Sequence, residues 1–179
     1  MTEVIAFSGV HNTGKSTCIE KVRDELIKQN KAVLVLEEIA RLFFLPQRNN
    51  PDKMQTSINK VENAKLDYLI ALTKLQVFDV ILVDRTFKDH IAYSKYYQSQ
   101  GQMDQKSELQ DRAECPYDKI IFFQEGIRDS KYWDPSADKA LSAILLSENE
   151  KYPIAPELFA NFKTDEEAVM NSLTQKTNS

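Results

Sequence analysis

An apolar run, Val4-Ile5-Ala6-Phe7, passes through Ser8 into Gly9-Val10-His11-Asn12-Thr13-Gly14-Lys15-Ser16-Thr17. No other stretch constrains the chain as much. The spacing is G-x-x-x-x-G-K-[ST], a phosphate-binding loop placed directly after a strand. Gly9 and Gly14 admit backbone conformations closed to residues with a Cβ, so successive N–H groups can turn inward around an anion. Lys15 adds a mobile positive charge, and the Ser16 hydroxyl is a ligand for Mg²⁺. The helix starting at Lys15 directs the positive end of its dipole at the same point. The plain alternative is a glycine-containing turn before a helix, and the preceding strand argues against it. Gly9, Asn12, Thr13, Gly14, Lys15, Ser16 and Thr17 are therefore the candidate nucleotide-binding residues.

At 179 residues, the chain reads as a single domain, 1–179, able to bury roughly 70% of its unfolded surface. Lys and Arg number 23 against 27 Asp and Glu, a formal charge of −4, so long nucleic acid is not the expected partner. A small anion held by local cations is compatible with that balance. Cys18 and Cys115 suggest neither a disulfide framework nor a zinc site and read as reduced thiols. No apolar run approaches the ~20 residues of a membrane span. The expectation is a cytoplasmic protein without membrane contact.

Apolar periodicity predicts an amphipathic helix over Lys15 to Gln29 with Asn30 as a left-handed cap. Ala32 to Leu36 reads as a strand buried on both faces, ending in Glu37 and Glu38. One or two helical turns over Ile39 to Leu45 stop at Pro46, and Gln47 to Lys53 reads as loop. A long helix from Met54 to Gln76 carries its apolar stripe on Val61, Ala64, Tyr68, Ala71 and Leu75, widened by Leu69 and Leu72. Val80 to Val83 is a third strand delivering Asp84-Arg85-Thr86, and Phe87 to Tyr97 is helical. Ser99 to Met103 is a break, Gln105 to Glu114 a short helix, and Ile120 to Phe123 a fourth strand. A lid or partner loop is expected at about 125–135, then a helix over Ser136 to Leu146. Tyr152-Pro153-Ile154 is the weakest strand candidate because of its proline. Asp165 to Leu173 reads as a last helix, and 174–179 as a frayed tail. Strands alternating with helices imply βαβ units and a mainly parallel sheet covered on both faces. Ligands then bind at the carboxyl ends of the strands, where all the candidate chemistry falls.

Asp84 stands where a carboxylate completes an Mg²⁺ site with Ser16; the alternative is an Asp capping the next helix. Arg85 is suited to a polyphosphate or acceptor phosphate, or to a salt bridge with Asp84 or Glu37. Of Glu37 and Glu38 at most one faces the site, because neighbours at a strand end point oppositely, and it can orient or deprotonate an acceptor hydroxyl. Arg41 follows on the same face if that segment is helical, where it binds an acceptor phosphate or neutralises Glu38. Arg128 is a candidate lid cation acting on transition-state charge, with Lys131 and Arg112 as rivals. Tyr93, Tyr96 and Tyr97 either stack on an acceptor base or belong to the core. His11 and His90 have no paired ligand and read as non-catalytic.

Phe7-Ser8-Gly9 through Lys15-Ser16-Thr17, with Asp84-Arg85-Thr86 followed by Ala92-Tyr93, resembles the nucleoside and nucleotide kinase branch of P-loop proteins, especially thymidylate kinases. With Glu38-Ile39-Ala40-Arg41 the same elements also resemble the small AAA-type ATPase/kinase family related to NadR-like nicotinamide-riboside kinase domains. The resemblance covers roughly 3–125. It implies an α/β P-loop NTPase three-layer fold on about five strands, ATP and Mg²⁺, and γ-phosphoryl transfer to a nucleoside or nucleoside monophosphate. By motif position it implies that Arg85 touches the acceptor's 5′ end or its phosphate and that the Glu37/Glu38 pair stands where these kinases hold an acceptor-orienting carboxylate, while Arg128 matches a lid arginine only loosely. With the readings above, the catalytic candidates are Lys15, Asp84, Arg85, Glu38 and Arg128, and Ser16 and Asp84 are the candidates for the metal. The Glu-Pro-Gly-Gly segment of thymidylate kinases is absent after Leu36, so the acceptor stays open. A homodimer is one expectation for the assembly. The rival functions are a regulatory NTPase switch without a small-molecule acceptor and a 5′-polynucleotide kinase, the latter expected to need a basic groove.

Overall fold

The computed structural model describes residues 1–11, 13–42, 50–104, 112, 115–123, 135–152 and 159–162, without the side chains at 41, 42, 51, 135–138 and 159–162. Its elements in order are β1 (Glu3–Gly9), α1 (Lys15–Lys28), β2 (Val33–Leu36), a 3-10 turn (Ile39–Leu42), α2 (Pro51–Leu75), β3 (Val80–Asp84), α3 (Phe87–Ser99), β4 (Lys119–Phe123), α4 (Pro135–Asn149) and β5 (Phe159–Phe162). The strands form one sheet in the order β2-β3-β1-β4-β5, and every neighbouring pair is parallel. The chain leaves β1 toward one edge and later returns to its other side, so the order reverses at β1. A crevice opens beyond the carboxyl ends of the strands at such a point.

Alternation along β1 assigns its two faces. Ile5 and Phe7, with Leu82, Ile121 and Phe123, pack on Cys18, Ile19, Val22 and Leu26 of α1. Val4 and Ala6, with Ile81, Val83 and Ile120, pack on Leu69 and Leu72 of α2 and on Tyr117 and Tyr152. Val10 and Phe122 meet Ala92 and Tyr93 of α3 and Leu141 and Leu145 of α4. The result is the expected three-layer α/β fold. A 14-residue helix such as α1 is marginal alone. Burying an apolar side chain contributes roughly 1.5–3 kcal/mol, so the sheet contact is what holds it.

Several sequence expectations change. The strand over Val33 to Leu36 is only half buried along its length, because it forms the sheet edge instead of a central position. Helix α2 starts at Pro51, inside the segment read as loop. Proline is at home in a first helical turn, and the Asn50 side chain accepts a hydrogen bond from the Lys53 N–H at 3.1 Å. Of the stripe read on α2, Leu69 and Leu72 are buried, but Val61, Tyr68 and Leu75 are 40%, 54% and 66% exposed, and Ala64 and Ala71 are exposed as well. Its buried face is Gln55, Ile58, Asn59, Glu62, Leu66, Leu69 and Leu72, apolar only in part. A fifth strand runs over Phe159–Phe162, and Tyr152, the described residue of the expected Tyr152-Pro153-Ile154 strand, lies in a bend and is buried. Asn30 does take a left-handed conformation, φ 59°. The 125–135 lid, apart from Pro135, lies outside the described residues. So do Pro153-Ile154, the helix over Asp165 to Leu173, the 174–179 tail and, except for Arg112, the Gln105 to Glu114 helix.

Candidate functional site

The phosphate loop closes the end of β1. Gly9 has φ 131°, and a Cβ there would stand 2.5 Å from the Phe123 carbonyl oxygen, so the close approach of β4 admits only glycine. Gly14 caps α1 in a left-handed conformation, φ 83°. The Lys15 side chain is buried and folds back over the loop. It donates to the Gly9 carbonyl at 3.0 Å, the Val10 carbonyl at 2.6 Å and the Thr13 hydroxyl at 3.2 Å. Burial, reinforced by Arg85, outweighs the nearby carboxylates and lowers the Lys15 ammonium to about 7. An anion in the loop would reverse that balance.

The Ser16 hydroxyl donates to Asp84 Oδ2 at 3.3 Å. One hydroxyl and one carboxylate, both hard oxygen donors beside a phosphate loop, fit Mg²⁺, which completes its shell with water and phosphate oxygens. Among the described residues no cluster of His, Cys, Asp or Glu suits a softer metal. Asp84 does not cap the next helix. Thr86 does, its hydroxyl accepting from the Asp89 N–H at 3.1 Å.

Arg85 is 1% exposed and its φ is +74°. For a residue with a Cβ this costs on the order of 1–3 kcal/mol, so the surroundings must impose it. Its Nε donates to Glu38 Oε1, and its Nη1 donates to the Gly9 carbonyl at 3.1 Å and lies 3.6 Å from Asp89 Oδ2. Its Nη2 is 3.1 Å from His11 Nδ1, and its Cζ lies 4.9 Å from the centre of the Tyr93 ring. Burial opposes the guanidinium charge, but Tyr93, Glu38, Asp89 and Asp84 outweigh it and raise the Arg85 pKa. Burial likewise opposes ionisation of Glu38, yet Arg85, His11 and Lys15 hold its carboxyl down to about 2. Glu38 is a buried, permanently charged acceptor, whereas Glu37 is exposed. The salt bridge offered as the alternative for Arg85 therefore runs to Glu38 and Asp89, not to Asp84 or Glu37.

Two polar networks support this centre. On the β1 side, Asp89 Oδ1 accepts from Ser8 Oγ at 2.6 Å and from Asn149 Nδ2 at 2.7 Å, while the Thr86 hydroxyl donates to Asn149 Oδ1 at 2.7 Å. This ties the loop, the start of α3 and the end of α4 together. On the β2 side, the Lys65 ammonium donates to the Glu37 carbonyl at 3.0 Å, the Asp84 carbonyl at 3.2 Å and Glu62 Oε1 at 3.4 Å. His90 Nε2 lies 3.0 Å from the same Glu62 oxygen. Burial disfavours the Glu62 charge, but His90 and Lys65 lower its pKa.

Gly9, Thr13, Gly14, Lys15, Ser16, Asp84, Arg85 and Glu38 thus meet at one end of the sheet, with Thr17 in the first turn of α1. Asn12, Arg128 and Lys131 lie outside the described residues, as does the Arg41 side chain. Arg112 pairs with Asp67 at 2.5 Å on the surface of α2. Tyr93 is a core residue against Val10, Leu141 and Leu145, with His11 at 5.3 Å, and Tyr96 and Tyr97 are half buried beside it. Sequence reasoning missed Lys65, Asp89 and Asn149. Their only signal was polarity at helical positions that otherwise face inward, visible once α2 and α3 are set in register with the sheet.

A family model described as an AAA domain matches residues 4–143. No curated protein matches the chain. Among solved structures, deoxyadenosine kinase from M. mycoides with bound dATP aligns over 98% of this chain and 100% of its own, with a TM-score of 0.67 and 16% identity. The same kinase with the products dCMP and a flexible dCDP aligns over 98% of each chain, with a TM-score of 0.65 and 14% identity. Thymidylate kinase from Ehrlichia chaffeensis aligns over 97% of this chain and 99% of its own, with a TM-score of 0.58 and 15% identity. At these identities the likeness is one of fold.

Proposed function

The chain belongs to the AAA domain family and has the fold of the P-loop nucleoside and nucleotide kinases, and from that premise we propose that it is a kinase. It transfers the γ-phosphoryl of ATP to a small nucleoside or nucleoside monophosphate. Residues 1–179 form one such domain, cytoplasmic, with no long nucleic acid as partner. Among the described residues no helix is long and apolar enough to cross a membrane.

The observation that carries this reading is the buried Glu38–Arg85 pair beside the phosphate loop. Binding and hydrolysing a nucleotide needs the loop, Lys15 and the Ser16–Asp84 pair. A second, fully buried carboxylate–guanidinium pair beyond them suits an acceptor that must be oriented. Glu38, held near 2, is too weak a base to deprotonate a hydroxyl in advance. Its role is to accept a hydrogen bond from the acceptor hydroxyl and aim it, which suffices because phosphoryl transfer is loose: as the new O–P bond forms and ADP departs, the oxygen becomes acidic enough to pass its proton to Glu38 late in the step. Arg85 holds Glu38 and, with Nε and Nη1 engaged by Glu38, the Gly9 carbonyl and Asp89, offers Nη2 to the transferring phosphoryl or to an acceptor phosphate. Lys15 leaves the loop carbonyls for the β- and γ-phosphates. Mg²⁺ held by Ser16 and Asp84 would neutralise charge on the phosphates as the transferring group passes. Arg128 acts as the lid cation. Positioning and electrostatics carry the rate.

The test is incubation with labelled ATP and Mg²⁺ against nucleosides, monophosphates, nicotinamide riboside and oligonucleotides. One small acceptor should become labelled, Lys15→Ala should abolish labelling, and Asp84→Asn should lower it by about tenfold or more. Phosphate release indifferent to every acceptor would instead identify an NTPase switch. Full transfer in either variant would overturn the assigned roles.

A further inference from the structure

We propose that Lys65 is a positioning residue that sets Glu38 and Arg85 against each other, although it reaches neither side chain. The inference rests on the kinase reading above for its catalytic consequence, but not for its structural content. Lys65 projects from α2 with its side chain 8% exposed. Two of its three N–H groups go to main-chain carbonyls, those of Glu37 and Asp84. These are the peptide units directly preceding Glu38 and Arg85. One ammonium therefore fixes the ends of two neighbouring strands, β2 and β3, at the residues that hand over to the acceptor-side pair. Its third N–H goes to Glu62, which His90 of α3 also approaches, so the clamp is anchored from both helices.

The backbone at Arg85 gives this arrangement its purpose. The Asp84–Arg85 peptide is held at both ends: its carbonyl takes the Lys65 hydrogen bond, and its N–H donates to the Phe7 carbonyl at 2.9 Å. A positive φ at a residue with a Cβ persists only where such contacts impose it. Removing Lys65 withdraws one of the two restraints. The peptide can then turn to a negative φ at Arg85, which carries the Arg85 N–H away from Phe7 and swings the guanidinium off Glu38. A displacement of about 1 Å in a reacting or orienting group lowers rates by about a hundredfold.

Lys65→Met keeps the apolar stem and removes the donors. Amide hydrogen exchange on the nucleotide-free protein should be at least about tenfold faster at Arg85, with the Ile5 and Leu82 amides of the central strands unchanged. Unchanged exchange at Arg85 would overturn the clamp. If Lys65→Met does not fold, Lys65→Gln, whose shorter side chain carries an amide in place of the ammonium, is measured in the same way and read by the same criterion. Once an acceptor is identified, Lys65→Met should lower kcat by about 30- to 100-fold with the KM for ATP within about twofold, and Lys65→Arg should recover about tenfold of the loss. An unchanged kcat, or a loss confined to KM for ATP, would also overturn it. The exchange measurement needs neither ATP nor acceptor. Failure to find an acceptor therefore counts against the kinase reading alone, and unchanged exchange counts against the clamp alone.

Discussion

Replacing Glu38 by Gln removes one charge from a pair whose other member cannot follow it out of the core. Two routes give the size of the effect. Glu38 falls from its ordinary 4.5 to about 2 in the fold, and at 1.36 kcal/mol per unit its ionised form contributes about 3 kcal/mol at neutral pH. Independently, stripping one partner from a buried ion pair costs about 3–5 kcal/mol. The low end applies, because Arg85 keeps the Gly9 carbonyl, Asp89 and the Tyr93 ring. The sign follows from a depressed carboxyl: the contribution is complete above the unfolded value and fades as pH falls toward about 2. Urea unfolding should therefore show Glu38→Gln destabilised by about 3 kcal/mol at pH 7 and by about 2 kcal/mol at pH 3.5. Adding Arg85→Met should cost less than the sum of the single changes, since both charges then leave together. A loss under about 1 kcal/mol at pH 7, or the same loss at both pH values, would refute the account of Glu38 as a buried, Arg85-bound carboxylate.

Gly9→Ala should destabilise the fold by about 2–4 kcal/mol, because its Cβ meets the Phe123 carbonyl at 2.5 Å and its φ of 131° excludes side chains; chemical denaturation measures it, and an unchanged midpoint would contradict the close approach of β1 and β4. Lys15, lowered from 10.5 to about 7, is largely neutral in the nucleotide-free protein above that pH, while the unfolded chain stays protonated. This group therefore makes stability rise with pH between about 7 and 10.5. ATP binding at about pH 8.5 should take up a proton approaching one equivalent as the phosphates recharge the amine. Calorimetry in buffers of different ionisation enthalpy reads that uptake, and Lys15→Met should lose it. Equal uptake in the variant would assign the proton elsewhere.

Much of the site was legible because its parts are local in sequence. The phosphate loop is a run of consecutive residues whose glycines, lysine and serine each answer a backbone or charge requirement. Asp84-Arg85 and Glu37-Glu38 sit where apolar strands end, and parallel strands bring those ends to one edge. The choice between Glu37 and Glu38 was not legible: it depends on which of them meets Arg85 beneath Gly9. Apart from Leu69 and Leu72, the α2 stripe was misread because its inward face is partly polar. Gln55, Asn59 and Glu62 are buried on that helix, Asn59 donates to Ser94 of α3 at 3.0 Å, and Glu62 meets His90. Hydrophobic periodicity finds a helix that packs by oil alone and passes over one that packs through hydrogen bonds.

By itself, the sequence determined an α/β chain with a phosphate loop on its first strand and an acidic-basic pair at the end of its third, because those features follow from contiguous residue types. Only the tertiary structure decided the strand order, the edge position of β2 and the burial of Arg85 at a positive φ. It alone brought Lys65, Asp89 and Asn149 under the site. These depend on which residues far apart in the chain share the small space at the carboxyl ends of β1 and β3. Each buried charge there had to find its counter-charge or carbonyl from another element.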